Sequence, residues 1–262
     1  MEISLNTSKW YDRLWAALMF FTRLPLWRIY QPPQLAYQCV VEYWPMAGWL
    51  TAATMAATLY VASMLFSYEI AVVLAITSRL VLTGALHEDG LADFFDGFGG
   101  GGTDRQRILD IMKDSRIGTY GVLSLLVYML LLYAALHSMQ PLDAALTILA
   151  VDPFAKMASG QVIQMIPYAR TAATAKNKTV YRKLSAAAGI GLAIQGLMPM
   201  AAYVWWMQER IEWSLLVSLP CITMYFLYLL IWRRLHGYTG DCCGAIFLLT
   251  ELTAYLVAAY YL

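Results

Sequence analysis

Three aspartates, Asp89, Asp93 and Asp96, stand at i, i+4 and i+7 within ALHEDGLADFFDGFGGGGTDRQR, residues 85–107. On a helix that advances about 100° per residue, they fall within roughly 60° of one face. Carboxylates stacked in this way repel one another unless a cation neutralises them, the more so beside a membrane span. The chemistry this spacing predicts is divalent-metal binding. Carboxylate oxygens suit Mg²⁺ or Mn²⁺, which keep water and accept substrate phosphates as further ligands. The competing reading is a solvated acidic helix end paired with Arg105, Arg107 and Lys113. The small residues Gly90, Ala92 and Gly97 favour the metal, because they let a phosphate-bearing ligand come close to the backbone.

Residues 97–102 hold five glycines in six positions. They read either as a nest of backbone N–H groups for phosphate oxygens or as a hinge. No Gly-Lys-Ser/Thr follows, so this is not a P-loop. Next comes KDSRIGTYG, residues 113–121, in which Lys113 and Arg116 could hold phosphate and Asp114 could join the metal shell. The alternative is a cationic flank of the next span. Acids, glycines and cations thus lie within about 30 residues, and together they are the parts that phosphoryl transfer requires.

The elements that must position these residues are read from composition. Of 262 residues, 60% are hydrophobic and 13% charged, with mean hydropathy +0.56. Soluble domains carry about 25% charged residues, so this chain is read as an all-α, polytopic membrane helical bundle. Seven spans are expected near 44–66, 69–86, 118–136, 142–166, 186–206, 213–232 and 244–262. Trp15–Trp27, interrupted by Arg23 and Pro25, reads as a short interfacial or re-entrant helix. Fifteen of the 18 Lys and Arg fall on one side of this arrangement, with only Arg210 opposite and with Arg79 and Lys156 inside spans. The N-terminus and the loop 87–117 are therefore expected in the cytoplasm, with residues 1–262 forming one integral membrane domain and 87–117 its active-site loop. No removable signal peptide is read at the N-terminus. The near-balance of 18 basic against 17 acidic residues argues against a nucleic-acid partner. Cys39, Cys221, Cys242 and Cys243 lack metal-site or disulfide spacing and read as packing residues.

HEDGLADFFDG, followed by GGG and IMKDSRIGTYGV, resembles the cobalamin synthase family, the adenosylcobinamide-GDP ribazoletransferases. FFTRLP at 20–25, YWPMAGW at 43–49, PYAR at 167–170 and GYTGDCCGA at 237–245 are similar to further family blocks, in family order. The resemblance implies a multi-pass enzyme of the bacterial cytoplasmic (inner) membrane, acting late in adenosylcobalamin synthesis. Such enzymes join adenosylcobinamide-GDP to α-ribazole or its 5′-phosphate and release GMP, with Mg²⁺ required. The family's aspartate block falls on Asp89, Asp93 and Asp96, its Lys-Asp-Ser-Arg block on Lys113 to Arg116, and its Thr-Gly-Asp block on Thr239, Gly240 and Asp241. Lys156 stands where an arginine is common in the family; four residues after Asp152, it reads most plainly as one half of an intrahelical pair.

The two lines of reasoning give one expectation. Asp89, Asp93 and Asp96 hold a divalent ion on the pyrophosphate, and a ribazole hydroxyl attacks the phosphorus nearest the corrinoid. Lys113, Arg116 and Arg170 are candidate phosphate clamps. Asp96 or Asp241 is the candidate proton acceptor. Arg23 reads either as a nucleotide contact or as a snorkelling interfacial arginine. Asp241 reads either as a phosphate-facing turn residue or as a helix cap. Arg79 is a chemically suitable partner for Glu251, which lies inside the last span. Homo-oligomerisation and contacts with late cobalamin-pathway enzymes are expected partners beyond the lipid bilayer. A CDP-alcohol phosphotransferase is the first rival, but Asp93 stands where its core arginine belongs. A transporter is the second, disfavoured because the acids gather at the cytoplasmic edge and no internal repeat is evident.

Overall fold

The computed structural model describes residues 8–170 and 180–262. Over these the chain is helical, with a single β-bridge and no longer strand. Lys176 and Lys178, two of the cations behind the charge asymmetry, lie outside the described residues. The first helix, α1 (Trp10–Phe21), has 12 residues, too few to cross a bilayer at about 1.5 Å per residue. 3-10 turns at Leu26–Arg28 and Gln34–Tyr43 lead into α2 (Trp44–Ser63) and α3 (Tyr68–Thr83).

All seven expected stretches are helical. Among the described residues, four helices are long and apolar enough to span outright: α6 (Thr119–Ser138), α9 (Ala186–Met207), α10 (Trp213–Leu235) and α11 (Gly240–Tyr261). α3 and α4 (Leu86–Gly100) reach that length and hydropathy only when taken together, and they meet at a bend of 89°. α2 and α7 (Pro141–Gly160) have 20 residues each but are richer in small and polar side chains. α7 and α11 are buried along most of their length and form the centre, with α2 and α9 packed on α7 and with α4, α6 and α10 packed on α11. The outer helices turn Leu126, Leu130, Ile190, Ile194, Ile222 and Phe226 outward, an apolar rim suited to lipid.

Small residues set the closest approaches. A Cβ on Gly48 of α2 would lie 3.1 Å from the Pro153 backbone of α7, so the two axes approach closely at Pro153, inside the helix. Such packing relies on van der Waals contact, because lipid supplies little hydrophobic drive between helices.

The segment 87–117 is not a loop. The chain turns at Gly84 and Ala85, both left-handed with φ of 64° and 54°, and sets off again as α4. After a tight turn at 101–104 it forms α5 (Arg105–Lys113), with Asp104 as N-cap accepting from the backbone N–H of Gln106 and Arg107.

Candidate active site

Three helices, α3, α6 and α11, hold α4 through one buried arginine. Arg79, near the end of α3, donates through Nη1 to both oxygens of Glu251 on α11, at 2.8 and 2.7 Å. Its Nη2 donates to the Tyr128 hydroxyl of α6 at 2.8 Å and lies 3.5 Å from Glu88 on α4. Tyr255 completes the Glu251 shell at 3.0 Å. A charge in an apolar interior is tolerable only when paired and hydrogen-bonded, and here the partners come from the very elements that must hold the acidic helix.

The other constraint on α4 is contact with α11. A Cβ on Gly90 would lie 3.1 Å from Cα and 3.2 Å from the carbonyl oxygen of Asp241, and a Cβ on Gly244 would lie 3.2 Å from the His87 carbonyl. Backbone therefore passes against backbone, and the aspartate helix is laid beside the N-terminus of α11, the positive end of that helix's dipole.

Along α4, Asp89 is exposed, Asp93 half-buried and Asp96 buried. The three carboxylates are not gathered into one ligand set. Asp96 accepts the backbone N–H of Gly118 at 2.6 Å and of Gly121 at 2.8 Å, so both of its oxygens hold the start of α6. Among the described residues, no group of three or more His, Cys, Asp or Glu side chains stands at metal-holding distance. The donor chemistry suits a hard cation through Asp89 and Asp93, one turn apart and reachable from solvent.

The glycine run is neither nest nor hinge. Gly97 to Gly100 continue α4, and a Cβ on Gly97 would run into Met112 of α5. A Cβ on Gly99 would lie 2.6 Å from the Tyr120 ring. These glycines let α5 and the start of α6 close on α4.

The cations assemble on α5 and on the strand-like segment after α8 (Val162–Met165). Tyr168 and Tyr238 form a parallel bridge, in which Ala169 N–H donates to the Tyr238 carbonyl at 2.8 Å and Tyr238 N–H donates to the Pro167 carbonyl at 2.9 Å. Gly237 allows it, since a Cβ there would lie 2.7 Å from the Pro167 oxygen. The bridge brings the PYAR and GYTGD segments together. Arg170 Nη2 donates to the Leu109 carbonyl at 2.7 Å, and Arg170, Lys113 and Arg105 line one pocket with Gln106, Leu109, Asp110 and Ala169. Arg105 donates to the Leu235 and Ala169 carbonyls at 2.7 and 2.6 Å.

The remaining expected residues divide. Arg116 is exposed and pairs with Asp114 at 2.6 Å; these hydrogen bonds pull the Asp114 carboxyl down to about 2. Thr239, not Asp241, is the N-cap of α11: it is buried, and its Oγ1 accepts from the Cys242 N–H at 3.3 Å. Asp241 lies in the first turn, half-buried, with the Thr239 hydroxyl donating to it at 3.4 Å. Arg23 is exposed and drapes across Gly84 at the α3–α4 bend, its backbone N–H donating to the Leu82 carbonyl at 2.7 Å.

Two pairings expected from chemistry are present: Arg79 with Glu251, and Asp152 with Lys156, which also donates to Thr51 at 3.0 Å. The cysteines are free, and three of the four are buried. Glu88 and Arg105 had no expected structural part beyond charge balance; only the bend and the bridge reveal what they hold.

The family model described as cobalamin-5-phosphate synthase matches residues 13–259. A relative from Vibrio cholerae named adenosylcobinamide-GDP ribazoletransferase is 34% identical over 94% of this chain and 92% of its own length. Relatives of the same name from Leptospira interrogans and Shewanella frigidimarina are 33% and 32% identical, covering 94% and 95% of both chains respectively. No solved structure matches. With a family match over almost its whole length, the chain belongs to the cobalamin-5-phosphate synthase family.

Proposed function

We propose that this chain joins adenosylcobinamide-GDP to α-ribazole, or to its 5′-phosphate, and releases GMP. The carrying observation is the contact of Gly90 with Asp241, which lays the helix carrying Asp89 and Asp93 beside the N-terminus of α11. An acid pair beside a helix N-terminus would suit a divalent cation and the phosphates whose charge it would neutralise.

In this reading Asp89 and Asp93 would hold Mg²⁺ or Mn²⁺, which neutralises phosphate charge and stabilises the departing nucleotide. Lys113 and Arg170, which line one pocket, bind phosphate oxygens. A ribazole hydroxyl oxygen forms the new bond to the corrinoid-side phosphorus, the pyrophosphate bond on that phosphorus breaks, and GMP leaves with the bridging oxygen. Asp241 takes the hydroxyl proton, because Asp96 is held by two backbone N–H groups. Asp96, Arg23 and Thr239 position the site: they hold α6, the α3–α4 bend and the start of α11. The uneven Lys and Arg distribution supports placing this face in the cytoplasm, at the inner membrane.

The test is GMP release by purified protein in detergent, given both substrates and either Mg²⁺ or EDTA. Mg²⁺-dependent GMP together with a new corrinoid, lost in folded Asp89→Asn and Asp93→Asn, is the expected result. Equal activity in EDTA removes the metal, and absence of GMP removes the reaction.

A further inference from the structure

The segment that follows α1 turns large side chains outward. Trp27, Arg28 and Ile29 are exposed, Trp27 by 48% and Ile29 by 75%. The turn that carries them is built from its own backbone. Arg28 N–H donates to the Pro25 carbonyl at 3.1 Å, and the N–H groups of Ile29 and Tyr30 donate to the Leu26 carbonyl at 2.9 and 3.1 Å. The Tyr30 hydroxyl donates to Asp12, which is buried on α1, and the Tyr30 ring meets Tyr11 and Trp15 edge-on. Tyr30 thus ties one flank of the turn to α1, and Trp27, Arg28 and Ile29 are presented as a tip.

The height of this tip is set by Arg23, whose N–H donates to the Leu82 carbonyl at 2.7 Å, near the end of α3. One side of α3 carries Ile70, Val73, Thr77 and Val81, all exposed and at helical spacing, a stripe suited to hydrocarbon. The stripe stops one residue short of Leu82. Trp27 lies four residues beyond Arg23, at most about 14 Å of extended chain, so the tip stands near the level where hydrocarbon gives way to headgroups. Charge there has one sign. Between Asp12 and Glu42 the sequence holds Arg13, Arg23 and Arg28 and no acid. Arg13 is paired with Glu42 at 2.8 Å, whereas Arg23 and Arg28 are exposed.

We infer that residues 26–29 dock into an anionic lipid surface, with Trp27 and Ile29 in the headgroup layer and Arg28 on lipid phosphates. Aromatic and aliphatic side chains interleaved with arginine are the composition that such a layer attracts. The docked tip holds the α3–α4 bend, through Arg23, at the bilayer surface from which α4 departs. The tip, not α1, is then the interfacial element: Asp12, Ala16, Ala17 and Phe21 of α1 are buried against the rest of the fold. The inference needs the membrane reading alone and stands apart from the reaction.

The experiment puts a photoreactive benzophenone residue at position 29 of the full-length protein, reconstituted in vesicles of equal phosphatidylglycerol and phosphatidylcholine. Irradiation followed by mass spectrometry identifies what the residue has captured. Phosphatidylglycerol adducts are expected to exceed phosphatidylcholine adducts by about fivefold, the preference given by one arginine at a charged surface. Arg28→Gln in the same protein should bring that ratio close to one. Absence of lipid adducts overturns the inference, and so does equal capture of the two lipids by the protein with Arg28 intact. Capture of another polypeptide in place of lipid, on irradiation of native membranes, overturns it in favour of a protein partner. The same residue placed at position 27 gives an independent reading if the first labelled protein folds poorly.

Discussion

Asp96 reaches across from α4 to the first turn of α6, where its Oδ1 accepts the backbone N–H of Gly121 at 2.8 Å. Its Oδ2 accepts from Gly118 at 2.6 Å, so one side chain satisfies two donors that the helix cannot satisfy itself. Asp96→Asn turns one acceptor into a donor facing an N–H group. It is expected to destabilise the protein by roughly 1.5–3 kcal/mol, read as thermal unfolding in detergent. Mg²⁺ affinity by titration should barely move. Asp89→Asn should do the reverse, and a metal-binding loss in Asp96→Asn larger than its stability loss would return Asp96 to the metal.

The Arg79–Glu251 pair, both members almost wholly buried, makes its own prediction. Glu251→Gln or Arg79→Met leaves a buried charge uncompensated and should lower stability by about 3–5 kcal/mol. The double variant Arg79→Met/Glu251→Gln should lose less than the sum of the singles, which a double-mutant cycle in detergent measures. Additivity would mean that the two charges do not act as a unit.

The backbone contact at Gly90 should govern activity more than stability. A Cβ there lies 3.1 Å from an Asp241 backbone atom, which cannot swing aside as a side chain would. Gly90→Ala should push α4 from α11 by a few tenths of an ångström, lowering kcat about tenfold or more through misplacement of the acids. KM for the nucleotide-activated substrate and the unfolding temperature report whether binding or packing fails instead.

Acid sensitivity can be assigned away from Asp114. Its hydrogen bonds to Arg116 depress its pKa from 3.8 to about 2. A depressed carboxylate contributes stability above its unfolded value and loses it only as pH falls from near 3.8 through about 2. Any acid limb of activity above pH 4 should therefore be the same in Asp114→Asn as in the wild type. A shift of that limb in the pH–rate profile would show that Asp114 titrates higher than its pairing with Arg116 implies.

Much of this was legible in the sequence. Apolar length located the seven stretches expected to be helical, since bilayer-crossing stretches have a strong one-dimensional signature, but it missed α4. The pairing of Arg79 with Glu251 followed from charge, because an intramembrane ion needs a partner and few were on offer. What escaped was anything decided by close approach. Gly97 and Gly99 looked like a loop because glycine disfavours helices, yet packing against Met112 and Tyr120 overrides that propensity. The turn at Gly84 and Ala85 was hidden inside an apolar run, its one local clue being a glycine where a helix can end left-handed. Asp96 shares spacing with Asp89 and Asp93, and spacing alone does not reveal that Gly121 stands opposite it.

That turn also sets the height of the acids. Had α4 continued along α3, Asp89 and Asp96, seven residues apart, would differ in depth by about 10 Å at 1.5 Å per residue. One carboxylate would then sit in water while the other sank toward hydrocarbon. Because the two axes meet at 89°, the residues of α4 share nearly one level measured along α3. A right-angled joint thereby turns a depth gradient into a shelf, and a polar substrate can be met by Asp89 and Asp93 without either leaving the layer in which Asp96 holds α6.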